Sequence, residues 1–442
     1  MSGRFLREPF LTSDELVRDP ILRGAFSGEL LGAPACLSAG ELKVAARDIR
    51  TYYDVACSLP QRLYDGDVAA MARAVGFGHA RAELISASAA AGRRRPLGRA
   101  DLYHDGQAFR LLEMNVTSAL GGFEIGRLNE AVLRADSVQK RVEARDLRFA
   151  DPMRAVARTL LAEHLETGTT PYVVALDIAQ NIPPAGGALR GLAALLEEHG
   201  IEARACHPAE LSLRDGAPMV DGRRIDMFFR HFMLEDFSHP ELAAELGPVV
   251  SAVLAGKVPM CSGLDAELYG SKGVLATLSD EVNRPLLSTA ERDCVDRLIP
   301  WTRYVRARST EPGGSRIELL PYALAHQDDL VLKPTHMHGG IGVIPGWRVD
   351  AAEWSSRLRE AMDGPFILQR RVEPETESYP AGGTDPAREL AVNWGIFFAD
   401  EEIVGNCGYA GCVVRAMDSQ DVGVVSAANG ALVGCAFHEE LT

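Results

Sequence analysis

The stretch GRADLYHDGQAFRLLEMN, residues 98 to 115, holds two runs of alternating character joined by His104, Asp105 and Gly106. A three-residue loop ending in glycine is a common hairpin connection, so strands are expected near Arg99 to Tyr103 and Gln107 to Val116. With that loop length, odd positions pair with odd positions. Arg99, Asp101, Glu113 and Asn115 then project from one face, while Ala100, Leu102, Leu112 and Met114 line the other. The apolar face packs on a core, and the polar face gathers two carboxylates, an amide and a guanidinium. A two-residue loop would split that set across both faces. On this stretch alone, a half-exposed hairpin carrying a surface Arg–Asp pair explains the pattern equally well.

A second stretch, LVLKPTHMHGGIGV at residues 330 to 343, shifts the balance. Lys333 follows Leu330, Val331 and Leu332 at the end of a buried strand, where an ammonium requires an anionic partner. Gly339, Gly340 and Gly342 open backbone conformations closed to other residues, so the loop can turn N–H groups toward phosphate oxygens. The lysine precedes the glycines and no GK[ST] ending follows, which excludes a Walker A loop. His336 and His338 have no third ligand nearby and are assigned no metal. Hard oxygen ligands on one stretch, with a lysine and glycines on the other, supply what ATP and Mg²⁺ require. The pair reads as an ATP-dependent enzyme.

In motif order these residues resemble the circularly permuted ATP-grasp enzymes, especially glutathionylspermidine synthetase-like ligases. In ordinary ATP-grasp proteins the nucleotide-binding lysines precede the magnesium carboxylates; here the RxD(x11)ExN set comes first and both candidate lysines follow. The resemblance implies an α/β ATP-grasp fold, circularly permuted. It implies that Asp101, Glu113 and Asn115 are magnesium ligands and that Arg99 contacts the nucleotide phosphates. Lys272, in YGSKGVLATL, resembles the first nucleotide lysine, and Lys333 the second. Gln369, in PFILQRRV, occupies the strand that lines the adenine pocket in such proteins. Arg415, in YAGCVVRA, looks like the late arginine facing the transferred phosphoryl group. The resemblance spans positions 98 to 127 and 265 to 435.

Each carried residue has a plain structural alternative. Lys272 could be a solvent lysine at a helix N-terminus, and Gln369 a strand-edge amide. Arg415 could pair with Asp418 or Asp421. Arg370 and Arg371 are expected to face solvent or pair with carboxylates, because adjacent strand residues point to opposite faces and cannot both enter one pocket.

With 442 residues, the chain can hold two or three domains. Lys and Arg total 46 against 61 Asp and Glu, a net charge of −15 that argues against general nucleic-acid or anionic-membrane binding. Eight cysteines at wide spacing, with no CxxC pair, suit free thiols in a reducing compartment. Cys407 and Cys412, the one close pair, are expected to pack as small apolar residues. No 18-residue apolar run occurs and the chain starts MSGRFLREPF, so neither a membrane helix nor a secretory signal is expected, and a cytoplasmic location is.

The chain divides by pattern into three regions. Residues 1–150 hold helices, near Leu42 to Leu59 and Asp67 to Ala90 with an interruption at Gly76–Gly78, followed by the hairpin. A loop at Thr117 to Gly122 leads into a helix near Phe123 to Ala135, with Ser118 placed as a substrate contact. Residues 151–262 begin with a helix, then strand Tyr172 to Leu176, helix Ala185 to His199 and strand Ile201 to Cys206, a Rossmann-like βαβ unit. A further strand, Met227 to His231, ends in Arg230, which either holds a substrate carboxylate or pairs with Glu235 or Asp236. Residues 263–442 carry the lysine strands, the glycine loop as a lid, a helix near Ala351 to Met362 and a hairpin-like segment from Leu390 to Val404. The expected activity joins a small-molecule carboxylate to an amine through an acylphosphate, releasing ADP and phosphate. A small-molecule phosphotransferase and a non-catalytic nucleotide-binding protein are the alternatives, and no residue pattern names the substrates.

Overall fold

The computed structural model describes residues 4–6, 18–26, 30–91, 95–164, 168–182, 187–311, 314–379, 387–419, 423–426 and 429–441. The hairpin is formed by Leu97–His104 and Phe109–Asn115. Asp105 Oδ1 accepts from the N–H groups of Gln107 and Ala108 at 2.9 and 2.8 Å, a side-chain-closed turn. His104 therefore stays in the strand, opposite Phe109, and the loop runs from Asp105 to Ala108. That loop is one residue longer than expected, which by itself reverses the pairing parity. A β-bulge at Leu112 reverses it again. Leu102 pairs with Leu111, yet Asp101 pairs with Glu113 and Arg99 with Asn115. The four polar residues thus share a face, but Leu111 rather than Leu112 fills the core position beneath.

This hairpin forms one edge of a seven-stranded sheet with Arg388–Ala399, Tyr409–Asp418, Leu432–His438 and Ala35–Leu37 in lateral order, and Thr376–Tyr379 also pairs with Arg388–Ala399. Both halves of the chain therefore build one sheet. The segment from Leu390 to Val404, expected as a hairpin, is a single long strand followed by a short helix, Glu401–Val404. Its turn residues begin only at Asp400, which caps that helix. Alternate residues of this strand divide the sheet's two faces: Val392, Trp394, Ile396 and Phe398 join the core, while Asn393 and Gly395 lie beside Arg415 and Asp101. Helix Ala39–Tyr64, started by a Ser38–Glu41 capping box, covers the apolar face, with Tyr53 and Phe398 ring centroids 5.6 Å apart.

Two smaller sheets flank the polar face. Met260–Cys261, Met227–Arg230, Tyr172–Leu176 and Glu202–Cys206 form a four-stranded parallel sheet, with helix Ala188–Glu198 between the last two. Thr302–Tyr304, Phe366–Arg370, Leu330–Pro334 and Ile344–Pro345 form an antiparallel sheet, packed against Leu319–Ala325 and Ala351–Ala361 around Trp354 and Leu368. Lys272 does not sit on a strand: it is the first residue of helix Lys272–Ser279, capped by Ser271. The strand Met227–Arg230 and the helices near residues 42, 68 and 79 follow the sequence pattern. No helix among the described residues is long and apolar enough to cross a membrane.

Gly395 marks where the central sheet makes room for the polar cluster. A Cβ there would lie 2.7 Å from Val413 Cγ1 and 2.9 Å from Arg99 Cδ. Gly395→Ala is expected to lower stability by about 1–3 kcal/mol through overpacking, measured by urea unfolding. An unchanged midpoint would show that Arg99 moves aside freely.

Candidate functional site

The polar face of the hairpin floors a cavity of about 550 Å³ whose walls come from the central sheet, the small antiparallel sheet and the loops between them. Two carboxylates pair across the hairpin, an arrangement that is unfavourable until cations separate them. Asp101 receives Arg99 in a forked ion pair, Nε to Oδ1 at 2.6 Å and Nη2 to Oδ2 at 2.9 Å. Arg415 Nη1 reaches the same carboxylate at 3.4 Å and the Asn393 side-chain oxygen at 3.2 Å. Lys272 Nζ lies 2.9 Å from Glu113 Oε2 and donates to the Met337 carbonyl at 2.8 Å. Asn115 Nδ2 stands 3.4 Å from both Asp101 Oδ2 and Glu113 Oε1, so the three candidate ligand side chains converge.

The bulge supplies the place for Lys333. Its ammonium donates to the carbonyl of Leu112, the bulged residue, at 3.1 Å and to Gln369 Oε1 at 2.6 Å. Gln369 in turn donates to the Leu111 carbonyl at 3.4 Å. A regular hairpin would direct these carbonyls differently. Burial pulls Lys333 down to about 8, with Glu113 opposing and Lys272 adding to the fall. Burial pushes the Glu113 carboxyl up, but Lys272, Lys333 and His338 together hold it well below the usual carboxylate range. Arg415 is lowered by burial and by the Arg99 charge beside it.

The lining holds Arg99, Lys272, Lys333, Arg370, Arg371 and Arg415 against Asp101, Glu113 and Glu373, an excess of three positive charges. Such an excess around a half-enclosed cavity calls for an anion. Gly339 and Gly340, with φ of 64° and 79°, border the cavity in a turn that also presents His338. Gly342 has φ of 71° but lies behind the lining. The donors Asp101, Glu113 and Asn115 suit a hard cation whose remaining ligands are phosphate oxygens and water. Among the described residues, no group of three or more His, Cys, Asp or Glu is arranged to hold a metal.

The structure thus brings Arg99, Asp101, Glu113, Asn115, Lys272, Lys333, Gln369 and Arg415 together around one cavity. It places Ser118 and Arg230 elsewhere. Ser118 is fully buried, its hydroxyl donating to the Arg230 and Cys261 carbonyls. Arg230, also fully buried, pairs at 2.6 Å with Glu267 rather than Glu235 or Asp236, and donates to Ser262, Phe232 and Thr117. Both fasten the loop after the hairpin to the parallel sheet.

A structural comparison aligns 98% of this chain with 98% of a glutathione synthetase-like effector from Globodera pallida, at TM-score 0.58 and 13% identity. The chain has a glutathione synthetase-like fold. A provisionally assigned gamma-glutamylcysteine synthetase from Methylobacillus flagellatus aligns over 90% of this chain and 87% of its own, at TM-score 0.44 and 11% identity. The ATP-grasp ligase PsnB, solved with a minimal precursor, covers 61% of this chain and 89% of its own, at TM-score 0.30 and 13% identity. These two likenesses are too distant to bear on the fold. No protein-family model matches the sequence, and no curated protein matches it.

Several lining residues escaped the sequence reading. Asn393 is a lone amide in the apolar run LAVNWGIFF, a signal that could have exposed it. Arg370 and Arg371 both reach the cavity, because the strand ends at Arg370 and Arg371 no longer obeys its alternation. Arg371 stacks over Trp347, 4.1 Å from the ring centroid.

Lys333 gives the site a testable pH response. Anion binding favours its ammonium form, so affinity is full below the lowered value of about 8 and declines as pH rises through it. Calorimetric affinity for a non-hydrolysable ATP analogue with Mg²⁺ is expected to fall at least about tenfold across that range, the worth of one charge-assisted hydrogen bond. A flat profile would remove Lys333 from the phosphate contacts.

Proposed function

We propose that this chain is an ATP-dependent carboxylate–amine ligase. The observation that carries the reading is the convergence of Arg99, Arg415, Lys272 and Lys333 on the paired carboxylates Asp101 and Glu113 inside one cavity. That set fits a magnesium polyphosphate, and the glutathione synthetase-like fold supports ligation as the use made of it. We also read the motif order as a circularly permuted ATP-grasp arrangement. Residues 151–262 would then be a Rossmann-like insertion on the substrate side, between the hairpin region and the lysine-bearing region 263–442.

In this scheme Gln369 lines the adenine end, while Lys272, Lys333, Arg99 and the Gly339–Gly340 backbone hold phosphate oxygens. Mg²⁺, held by Asp101, Glu113 and Asn115, would neutralise charge on the β and γ phosphates. Arg415, whose contacts to Asn393 and Asp101 are long at 3.2 and 3.4 Å, keeps guanidinium donors for the phosphoryl group in flight. The substrate carboxylate attacks the γ-phosphorus and ADP departs, leaving an acylphosphate. An amine then attacks the acyl carbon, phosphate departs, and an amide remains. Closure of the glycine loop keeps water from the mixed anhydride. The chain's own serine, cysteine and histidine side chains need form no covalent intermediate, because ATP supplies the activation.

The test is ADP release and hydroxamate formation when the protein is given ATP, Mg²⁺, hydroxylamine and a panel of amino acids, dipeptides and dicarboxylates. Hydroxamate with matching ADP is expected for at least one carboxylate; a phosphorylated hydroxyl compound instead would make the chain a phosphotransferase. Glu113→Gln should slow that turnover at least about a hundredfold while leaving the unfolding midpoint close to wild type. A near-normal rate in the variant would sink the assignment.

A further inference from the structure

His338 stands where two parts of the cavity meet. Lys272 fixes the backbone just before it, through the Met337 carbonyl at 2.8 Å, and a positive-φ turn at Gly339 and Gly340 follows. On one side is the phosphate-facing cluster, near enough for His338 to depress the Glu113 carboxyl. On the other is a wall of loops, where Met233, just after strand Met227–Arg230, and Thr117, just after the hairpin, line the cavity. Behind the imidazole lies Glu267, 4% exposed, with Oε2 3.7 Å from His338 Nε2. The other oxygen, Oε1, is taken by Arg230 Nη1 at 2.6 Å and the Leu234 N–H at 3.0 Å. Burial pushes Glu267 up, but Arg230 and His338 outweigh it and keep it a carboxylate. A buried carboxylate locked behind an imidazole that lines a cavity is the arrangement that orients a general base.

We propose that His338 accepts the proton released by the attacking amine and that Glu267 is its positioning partner. This rests on the ligase reading. The amine lone pair forms the C–N bond at the acyl carbon, and the C–O bond to phosphate breaks with its electrons leaving on phosphate. The amine arrives as an ammonium and first gives one proton to Nδ1 of His338, which frees that lone pair, while Nε2–H turned toward Glu267 stabilises the resulting imidazolium; the second proton leaves nitrogen with the departing phosphate. Among the described residues, Glu113 and His336 also interact electrostatically with His338, and Lys272 holds the backbone just before it. The separation of 3.7 Å is longer than a hydrogen bond and is closed by a small rotation of the ring, as pre-catalytic contacts often are.

Hydroxylamine provides the discriminating probe, because it is already neutral at pH 7 and needs no base, whereas primary alkyl amines arrive protonated. His338→Gln is expected to keep hydroxamate formation within about threefold of wild type. Turnover with the primary amine that most accelerates ADP release by wild type should fall about a hundredfold, the usual contribution of a general base. Exogenous imidazole should restore part of that loss in His338→Ala. Equal loss of both products would assign His338 to the phosphates instead, and no loss of either would leave it without a chemical role; both results overturn the proposal. Hydroxamate formation by a wild type that no primary amine accelerates would overturn it too. Absence of hydroxamate with every carboxylate would instead remove the ligase reading itself, and the proton acceptor with it.

Discussion

Two carboxylates placed side by side across a hairpin are the constraint on which this molecule is arranged. Asp101 and Glu113 pair directly, and like charges so placed repel unless cations intervene. The cations come from four distant points of the chain: Arg99 from the hairpin itself, Lys272 from a helix start, Lys333 from the small antiparallel sheet, and Arg415 from the central sheet. Bringing them together fixes how the sheets enclose the cavity. The cations outnumber the carboxylates, so the cluster is satisfied only in part by its own members. An incoming polyanion completes it, which ties the protein's electrostatic balance to its ligand.

The bulge at Leu112 joins the local and the global levels. It restores the register that sets Asp101 opposite Glu113, and it frees the Leu112 carbonyl for Lys333. One inserted residue thus aligns the anions and anchors a cation. The same device explains a partial success in reading the sequence. The four polar residues share a face as expected, although the loop has one more residue than expected and the register is recovered by a bulge that alternation cannot reveal.

Elsewhere, legibility follows how local the determining physics is. The strand Tyr172–Leu176 and the helix after it were readable because apolar runs and helical spacing are short-range signals. Lys272 was readable as a residue but not as a place, since its burial at a helix start depends on Glu113 and Met337 across the cavity. Ser118 and Arg230 lie near the strand ends where ligand groups are sought, yet tertiary packing commits both to the joint between hairpin and parallel sheet. The segment Leu390 to Val404 is one strand and a short helix rather than a hairpin because Tyr409–Asp418 and Leu97–His104 pair along both edges of the strand, a constraint that no local pattern carries. His338 had no metal partner in the sequence, and its relation to Glu267 arises only in three dimensions.

The central claim is that the hairpin carboxylates and the surrounding cations form a magnesium-nucleotide site. The most direct test is calorimetric titration of a non-hydrolysable ATP analogue into the folded protein, with Mg²⁺ present and then with the metal chelated. Saturable binding that weakens at least about tenfold without the metal is expected, because the carboxylates then face phosphate oxygens unshielded. Folded protein that binds no analogue in either condition would contradict it, leaving the cluster as a buried ion network that holds the sheets together.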